Sequence, residues 1–285
     1  MHQPLQTTHL DPLKHTNSAE EFLDYFHLPS KKAELDHLQV ILQHFAKIPY
    51  ENISKIIKLN DYRNQPEIRL PAEVIEDHIT RNLGGTCFSL TYFLQTILTQ
   101  SGFECYPVMA DMRAGKNIHC CLIVIIDSTK YQVDPGYLLT EPIAINPSKP
   151  KYYHSEFTGI DLRFDPQSQS YNLFTFNKND TQWRYRFKDR PTPSKEFLKH
   201  WLDSFQRNSM NAICLTKIVN GGLIYVHKNF MRETTFYGKK NFNIKKKYHT
   251  VINERFGIDK EITEQAQTAL EENLNHKRKL GLSAE

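Results

Sequence analysis

The amino-acid sequence predicts an α+β fold. Apolar residues recur at helical spacing up to about Leu83, whereas short runs rich in β-branched and aromatic residues dominate from there to Pro191. Both kinds of pattern occur after Pro191. Helices that precede strands along the chain are typical of α+β proteins, because a doubly wound sheet requires the two to alternate.

The first part of the chain contains three predicted helices. One begins near Ser18, a capping residue with two glutamates in the turn that follows it, and a second spans 35–46 and ends before Pro49. The third begins at Pro71, since proline fits the first turn of a helix. The first two place apolar residues three and four apart, so each is expected to bury one face.

The middle part begins with a helix and continues as strands. Apolar residues fill 88–98 behind Gly84 and Gly85, and Gly102 is expected to end this buried helix. Residues 127–129 predict a turn between two strands. The β-rich runs predict strands over residues 104–110, 120–126, 131–134, 171–176 and 183–187.

The last part combines helices with a hairpin. Pro193 precedes an amphipathic helix, and a charged helix is predicted over 260–279. Between them, Asn220 and Gly221 separate two apolar runs, and Asn-Gly is a strong signal for a tight hairpin because its turn requires positive φ twice.

Composition narrows the functional class. The chain has 285 residues, a net charge of +4 and 12% aromatic residues, which favours a folded protein over a disordered one. A mildly basic protein attracts anionic ligands, yet no basic stripe with interleaved aromatic residues indicates nucleic acid. No apolar run approaches the ~20 residues of a membrane-spanning helix, and residues 1–10 do not resemble a secretory signal. We therefore expect neither a nucleic-acid partner nor a membrane partner.

The cysteines indicate a reducing compartment. They are odd in number, and their spacing resembles neither a disulfide framework nor a zinc site. We therefore expect a cytoplasmic protein with free thiols and no bound metal. Four of them are interpreted as small core residues, namely Cys105, Cys120, Cys121 and Cys214.

The fifth, Cys87, is the strongest candidate nucleophile. It follows Gly84-Gly85 at the predicted start of a helix, where unpaired N–H groups and the helix dipole stabilise a thiolate. A thiol pKa of ordinarily ~8.5 falls at such a site. The same pattern also fits a buried structural cysteine behind a tight turn.

His119 and Asp134 are the candidate partners of Cys87. His119 begins an apolar strand and Asp134 ends the strand that returns beside it, so the two lie on opposite arms of one predicted hairpin. The carboxylate can then orient the imidazole, and the imidazole can take the thiol proton. Each residue alone also has a structural interpretation, and only the three together predict a catalytic triad.

These residues resemble the signature of the arylamine N-acetyltransferase family. Blocks similar to those of the family follow one another in the family's order. They are 48–52 (Ile-Pro-Tyr-Glu-Asn), 84–88 (Gly-Gly-Thr-Cys-Phe), His119 with the strand after it, and 134–137 (Asp-Pro-Gly-Tyr). The Pro193 helix, the hairpin and 254–258 extend the resemblance over nearly the whole chain.

The resemblance implies a fold of three domains. They would be a helical bundle over 1–85, a β-barrel-like domain over 86–190 that carries a triad like that of cysteine proteases, and an α/β lid over 191–285. It also implies ping-pong chemistry, in which Cys87 takes an acetyl group from acetyl-CoA and releases coenzyme A. An arylamine, hydrazine or N-hydroxyarylamine would then accept the acetyl group, and no metal would be needed.

The resemblance also suggests which residues line the acceptor pocket. Tyr50, Phe88 and Tyr137 are expected to present aromatic rings to a flat amine, and core packing is the alternative interpretation for Tyr50 and Phe88. The sequence departs from the family nearby. Leu83 replaces an arginine, so a charged contact is expected to be missing. The other departures are Ser89 for a glutamate, Pro135 for a small residue and Leu138 for a glycine.

Other functions are compatible with the same residues. The triad could form an amide within a larger molecule, as amide synthases related to the family do, or hydrolyse one as a cysteine amidase. A binding protein that retains the fold without catalysis is a further alternative, and it predicts that Cys87 is unreactive.

Overall fold

The structure, a computed structural model, describes residues 10–29, 33–149, 151–154, 157–219 and 221–281. The expectation that residues 1–10 are not a secretory signal concerns a segment of which residues 1–9 lie outside the described residues. Asn220 of the predicted hairpin does so as well.

Eight α-helices occur within the described residues. They are α1 (Thr16–Tyr25), α2 (Leu35–Phe45), α3 (Ile53–Asp61), α4 (Pro71–Arg81), α5 (Cys87–Gln100), α6 (Ser194–Asp203), α7 (Tyr248–Phe256) and α8 (Lys260–Lys279). The predicted helices are confirmed, and α8 has the predicted bounds. Helices α3 and α7 are not among the predictions, because both are short and amphipathic only over two turns.

Thirteen strands in the same described ranges form two antiparallel sheets. The first five are β1 (Tyr50–Glu51), β2 (Glu104–Met112), β3 (Gly115–Ile126), β4 (Thr129–Val133) and β5 (Ile143–Ala144). Next come β6 (Lys151–His154), β7 (Gly159–Asp165), β8 (Ser170–Phe176) and β9 (Thr181–Phe187). The last four are β10 (Cys214–Val219), β11 (Gly222–His227), β12 (Phe230–Thr235) and β13 (Gly238–Asn243).

The larger sheet has eight strands in the order β5-β4-β3-β2-β9-β8-β7-β6. Its two edge strands, β5 and β6, approach each other, so the sheet curls into a nearly closed barrel-like form. The predicted α+β class with a barrel-like middle is therefore confirmed. The division into domains at residues 85 and 190 stays a prediction.

The smaller sheet joins the two ends of the chain. Its order is β1-β10-β11-β12-β13, so β1 from the N-terminal part pairs with β10 from the C-terminal part. The pairing of β10 with β11 confirms the predicted hairpin, and Gly221 has a φ of 76° as that turn requires.

Helix α5 lies at the centre of the molecule. Leu90, Phe93 and Ile97 pack into a core shared with α1, α2 and α4, whereas Phe88 and Tyr92 pack into a second core shared with α6 and the smaller sheet. A helix packed on opposite sides has little room for charge, which explains why the sequence of α5 contains no charged residue. The N-terminus of α5 is thereby fixed between the two cores.

None of the helices in the described ranges is both long and apolar enough to cross a membrane.

Candidate active site

Cys87 is the first residue of α5, directly behind the Gly84-Gly85 turn. A Cβ atom at Gly84 would lie 2.0 Å from the Pro49 carbonyl oxygen, so only glycine allows this approach of two backbone segments. The first N–H groups of a helix have no partner within the helix. Cys87 therefore lies beside free donors and the positive end of the helix dipole, as the sequence predicts.

A buried ion network holds the turn before Cys87. Arg69 Nη1 donates to the Gly84 carbonyl oxygen at 2.5 Å and lies 3.8 Å from Glu51 Oε1, while its other terminal nitrogen pairs with Asp77. Glu51 in turn accepts from the Gly84 N–H at 3.2 Å. Arg69 thus supplies a charged contact to this turn, whereas Leu83 is an apolar core residue.

Arg69 makes this contact because the loop before α4 reaches the turn in space. Arg81, the nearer candidate in sequence, is exposed and pairs with Asp77 on the surface of α4. Arg69 and Glu51 are both buried, and a buried ion pair is kept only where further hydrogen bonds support it. Arg69 was not predicted, because the residues around it show neither helical nor strand periodicity.

His119 and Asp134 meet as the predicted hairpin requires. Leu122 of β3 opposes Val133 of β4, so Asp134, one residue later, comes opposite Cys121. His119 lies two residues from Cys121 and therefore on the same face of the sheet. His119 Nε2 lies 2.7 Å from Asp134 Oδ2, which leaves the other ring nitrogen, Nδ1, for Cys87.

Two further donors hold the Asp134 carboxylate. The Tyr185 hydroxyl donates to Oδ2 at 2.5 Å, and the Tyr137 N–H donates to Oδ1 at 3.0 Å. The Tyr185 hydroxyl itself accepts from Gln132 Nε2 at 2.8 Å. Asp134 is fully buried, so these bonds replace the water that it lacks. Tyr185 was not predicted, because β9 is distant in sequence.

Gly136 lies between the reacting side chains. A Cβ atom there would lie 2.9 Å from His119 Cε1 and 3.0 Å from Cys87 Cβ. Those distances are closer than real Cβ contacts, so the absence of a side chain at Gly136 allows His119 and Cys87 to approach each other.

The electrostatics of the site favour a thiolate beside an imidazolium. The pKa of Cys87 lies well below its ordinary value. A hydrogen bond with Cys120 lowers it most, and burial acts in the opposite direction. A hydrogen bond with His119 and the charges of His119 and Lys55 lower it further. For His119, burial lowers the pKa, but the charge and hydrogen bond of Asp134, helped by Cys87, raise it to about 10. At neutral pH the proton is therefore on His119.

Cys120 was interpreted as a core residue, yet it also contacts the nucleophile. It is fully buried, and its Sγ lies 3.4 Å from the Thr91 hydroxyl on α5. A hydrogen bond with Cys120 is also the largest cause of the low pKa of Cys87. No sequence signal marks this role, because adjacent residues of a strand point to opposite faces and Cys120 directly follows His119.

A cleft of about 940 Å³ opens onto Cys87 and His119. The three predicted substrate-binding residues, Tyr50, Phe88 and Tyr137, all line it. The Tyr137 ring stands edge-on to His119 at 5.2 Å between centroids. The Phe88 ring also packs in the core, 5.4 Å from the ring of Phe197. Phe88 therefore both lines the cleft and packs in the core, as its two interpretations predicted.

The lining of this cleft is cationic. No aspartate or glutamate lines it among the described residues. Five cations do, and they are Lys55, Arg184, Arg207, Arg232 and Lys239. None of the five forms an ion pair with a carboxylate in the described part of the chain. No carboxylate therefore compensates these basic side chains, and the cleft suits an anionic ligand.

The described residues include no group of three or more His, Cys, Asp or Glu side chains that could hold a metal ion.

Comparisons with known proteins agree with this geometry. A family model described as N-acetyltransferase matches residues 34–265, which is most of the chain. Proansamycin X synthase of Amycolatopsis mediterranei (strain S699) is 22% identical over 204 residues, 66% of this chain and 76% of the relative. Arylamine N-acetyltransferase 1 of Oryctolagus cuniculus is 33% identical over 118 residues, 38% of this chain and 38% of the relative.

Solved structures share the fold. The arylamine N-acetyltransferase of Mycobacterium abscessus superposes with a TM-score of 0.77 at 15% identity, over 90% of this chain and 97% of that one. The arylamine N-acetyltransferase of Bacillus cereus, which is described as having a Cys-His-Glu triad, has a TM-score of 0.66 at 18% identity, over 85% and 99% of the two chains. The match of the family model, supported by these similarities, shows that the chain belongs to the arylamine N-acetyltransferase family and is an acyltransferase.

Proposed function

We propose that the protein moves an acetyl group from acetyl-CoA to an arylamine, hydrazine or N-hydroxyarylamine, with Cys87, His119 and Asp134 as its catalytic triad. One observation carries the proposal. The buried His119–Asp134 pair, with 2.7 Å between Nε2 and Oδ2, lies beside a thiol whose pKa is well below the ordinary value. A cysteine in this state is a nucleophile at neutral pH.

In the first half-reaction the Cys87 thiolate attacks the carbonyl carbon of the thioester. The new bond joins Cys87 Sγ to the acetyl carbon, and the bond from that carbon to the coenzyme A sulfur breaks. The leaving thiolate takes the proton from His119, so coenzyme A departs as a thiol and His119 becomes neutral. Free N–H groups at the N-terminus of α5 are placed to stabilise the negative oxygen of the tetrahedral intermediate.

In the second half-reaction the amine attacks the acetyl-cysteine. Its nitrogen forms a bond to the carbonyl carbon and gives a proton to neutral His119, and the bond to Cys87 Sγ breaks. Cys87 leaves as a thiolate and His119 is again an imidazolium, so the resting pair is restored. Asp134 keeps its charge throughout and stabilises the imidazolium form of His119.

Tyr50, Phe88 and Tyr137 are our candidates for binding the acceptor. All three line the cleft beside the nucleophile. Their rings favour a flat aromatic amine, because offset or edge-on packing of rings is favourable beyond the burial of apolar area. The nearby departures from the family at Ser89 and Leu138 leave the preferred acceptor open to experiment.

Coenzyme A carries phosphates, and the cations toward the mouth of the cleft suit them. Lys239 is exposed, and Arg184 and Arg232 are half-buried, whereas Lys55 is buried. Phosphates are recognised by arginine and lysine side chains that have no competing carboxylate. We therefore assign the phosphates of the donor to Arg184, Arg232 and Lys239.

We also assign the protein to the cytoplasm, because its thiols stay reduced there.

The proposal is tested by intact-protein mass spectrometry after mixing with acetyl-CoA and no acceptor. We expect the wild type to gain the mass of one acetyl group and to release one equivalent of coenzyme A. The Cys87→Ala variant should do neither, whereas Cys105→Ala, which removes a half-buried thiol outside the cleft, should behave like the wild type. Absence of both acetylation and coenzyme A release in the wild type would exclude acetyl-CoA as the donor.

A second candidate function has one specific observation in its favour. The relative that matches 66% of this chain is named as a synthase, Proansamycin X synthase. An acyl-cysteine whose own chain carries an amine would form an amide within one molecule. Hydrolysis by a cysteine amidase is the third possibility. Product analysis with arylamine, with an amine-bearing acyl thioester and with water alone separates the three outcomes.

A further inference from the structure

Lys55 is a buried amino group without a carboxylate partner in the described part of the chain. It lies on α3, its residue is 5% exposed, and it lines the cleft. Nζ donates to the Ser204 hydroxyl at 2.5 Å and lies 4.2 Å from the centre of the Phe205 ring. An ammonium group has three donors, and burying one without an anion is costly. Nζ of Lys55 therefore has further hydrogen-bond donors available for a ligand.

Arg207 lines the same cleft and follows Ser204, the hydrogen-bond partner of Lys55, by three residues. It is half-buried, it lines the cleft, and Nη2 donates to the Asn117 carbonyl oxygen at 3.2 Å. Asp203 acts on Arg207 at longer range, but its ion pairs are with Lys199 and His200. The guanidinium thus keeps most of its donors for a partner outside the chain.

Arg207 lowers the pKa of Lys55, and the charge of Cys87 raises the pKa of both groups. Burial lowers the pKa of Lys55 to about 7, the charge of Cys87 raises it, and Arg207 and Lys277 lower it. The charge of Cys87 likewise raises the pKa of Arg207 against burial. Two like charges held together indicate a site that is built for an anion.

The thiolate of Cys87 is an anion only while the enzyme is free. Once Cys87 carries an acyl group, its negative charge is gone, so it no longer raises the pKa of Lys55 and no longer offsets the charge of Arg207. An anion that neutralises them must then belong to a group close to the reacting carbon. The phosphates of coenzyme A do not meet this condition, because the pantetheine arm separates them from the thioester.

We propose that Lys55 and Arg207 form a carboxylate-binding subsite beside Cys87, which selects substrates that carry a carboxylate near the reacting centre. The inference rests on the proposed function for its chemistry, but the binding of the carboxylate does not need the reaction. The carboxylate has two possible sources, the acyl group of the thioester or the amine acceptor. The carboxylate does not react; it accepts hydrogen bonds from Nζ of Lys55 and from the Arg207 guanidinium.

The test measures binding without chemistry, on the Cys87→Ala background. Malonyl-CoA is compared with propionyl-CoA, which lacks the carboxylate, and 4-nitrobenzoate is compared with its methyl ester. Calorimetry should show a preference of about 10- to 100-fold for the carboxylate in one pair, the size of a charged hydrogen bond. A preference in the CoA pair assigns the carboxylate to the donor, and one in the benzoate pair assigns it to the acceptor.

Adding Lys55→Met should remove that preference and change the affinity of the neutral member by less than about threefold, because methionine keeps the apolar volume. Lys260→Met, which removes a lysine from the surface of α8, should leave the preference intact. Arg207→Met provides a second variant at a half-buried position, in case Lys55→Met does not fold.

Three results would overturn the inference. They are equal affinity within both pairs, a preference that survives both Lys55→Met and Arg207→Met, and an equal loss for charged and neutral ligands, which would assign Lys55 to structural support. A preference that is lost with Lys55→Met while wild-type Cys87 takes an acyl group from none of the thioesters would instead support the subsite and refute the proposed reaction.

Discussion

Replacing Gly136 with alanine tests whether the close approach of His119 and Cys87 controls the rate. The added Cβ would lie 2.9 Å from His119 Cε1, 3.0 Å from Cys87 Cβ and 3.3 Å from Asp134 Oδ1. Carbon atoms pack best at ~3.5–4.0 Å, so these groups must separate by ~0.5–1 Å. The backbone at Gly136 lies outside the left-handed region, so the methyl group alone causes the effect.

The size of the effect follows from this displacement. Misplacement of a reacting group by ~1 Å costs ~100-fold in rate. We therefore expect kcat/KM for acetyl transfer to fall ~100-fold in Gly136→Ala, which corresponds to about 2.7 kcal/mol in the activation free energy. The free energy of unfolding should change by less than about 1 kcal/mol, because a single methyl group is added at the edge of a cleft that can partly adjust.

The assay follows coenzyme A release in a stopped-flow instrument, with denaturant unfolding on the same samples. Gly238→Ala is the matched control, because a Cβ there meets no atom within 4 Å and should change neither quantity. A Gly136→Ala variant that keeps kcat/KM within about threefold of the wild type, less than a tenth of the ~100-fold expected loss, would refute the reasoning.

Four further predictions concern the groups around the thiol. Arg69→Met should lower the free energy of unfolding by ~3 kcal/mol in denaturant titrations, because it leaves the buried carboxylate of Glu51 unpaired. Asp134→Asn should reduce kcat/KM by ~10³–10⁴-fold in steady-state assays, since it removes the charge that holds the His119 proton. In the wild type the raised pKa of His119 predicts that activity falls as the pH rises through about 10, where the imidazolium loses its proton. Cys120→Ala should move Cys87 alkylation by iodoacetamide, fast at about pH 6 in the wild type, to higher pH, because a hydrogen bond that lowers the pKa is lost.

Each of the three substitutions has an outcome that would contradict the prediction made for it. Arg81→Met removes an exposed arginine from the same helix region and should cost less than about 0.5 kcal/mol. Equal losses for Arg69→Met and Arg81→Met would contradict the buried network. Near-normal turnover in Asp134→Asn would exclude the triad. Alkylation of Cys87 with an unchanged pH profile in Cys120→Ala would show that Cys120 only fills space.

The predictable parts of the site are those that local sequence determines. Cys87 lies at a helix start because glycines and an apolar run adjoin it. His119 meets Asp134 because a short turn fixes the register of one hairpin, and Asp127 and Ser128 both have positive φ there. In each case neighbouring residues provide the geometry, so periodicity and turn chemistry are sufficient.

The residues that the sequence did not reveal act across long separations. Arg69 reaches Gly84 from a loop without periodicity, and Tyr185 reaches Asp134 from a strand about 50 residues later. Lys239 lines the cleft from β13, which pairs with β12 late in the chain. Contacts of this kind depend on how sheets and helices pack, which no local pattern encodes.

The pairing of β1 with β10 has a consequence for the synthesis of the protein. Tyr50 opposes Thr216 in that pair, and the Asn52 side chain bonds to the backbone of Ser209, Ala212 and Cys214 at 2.8–2.9 Å. A growing chain on the ribosome therefore carries Cys87 long before the wall of its cleft exists. Cys214, Thr216 and Leu223 of β10 and β11 line the cleft, so the thiol reaches its final surroundings only after those strands have been synthesised.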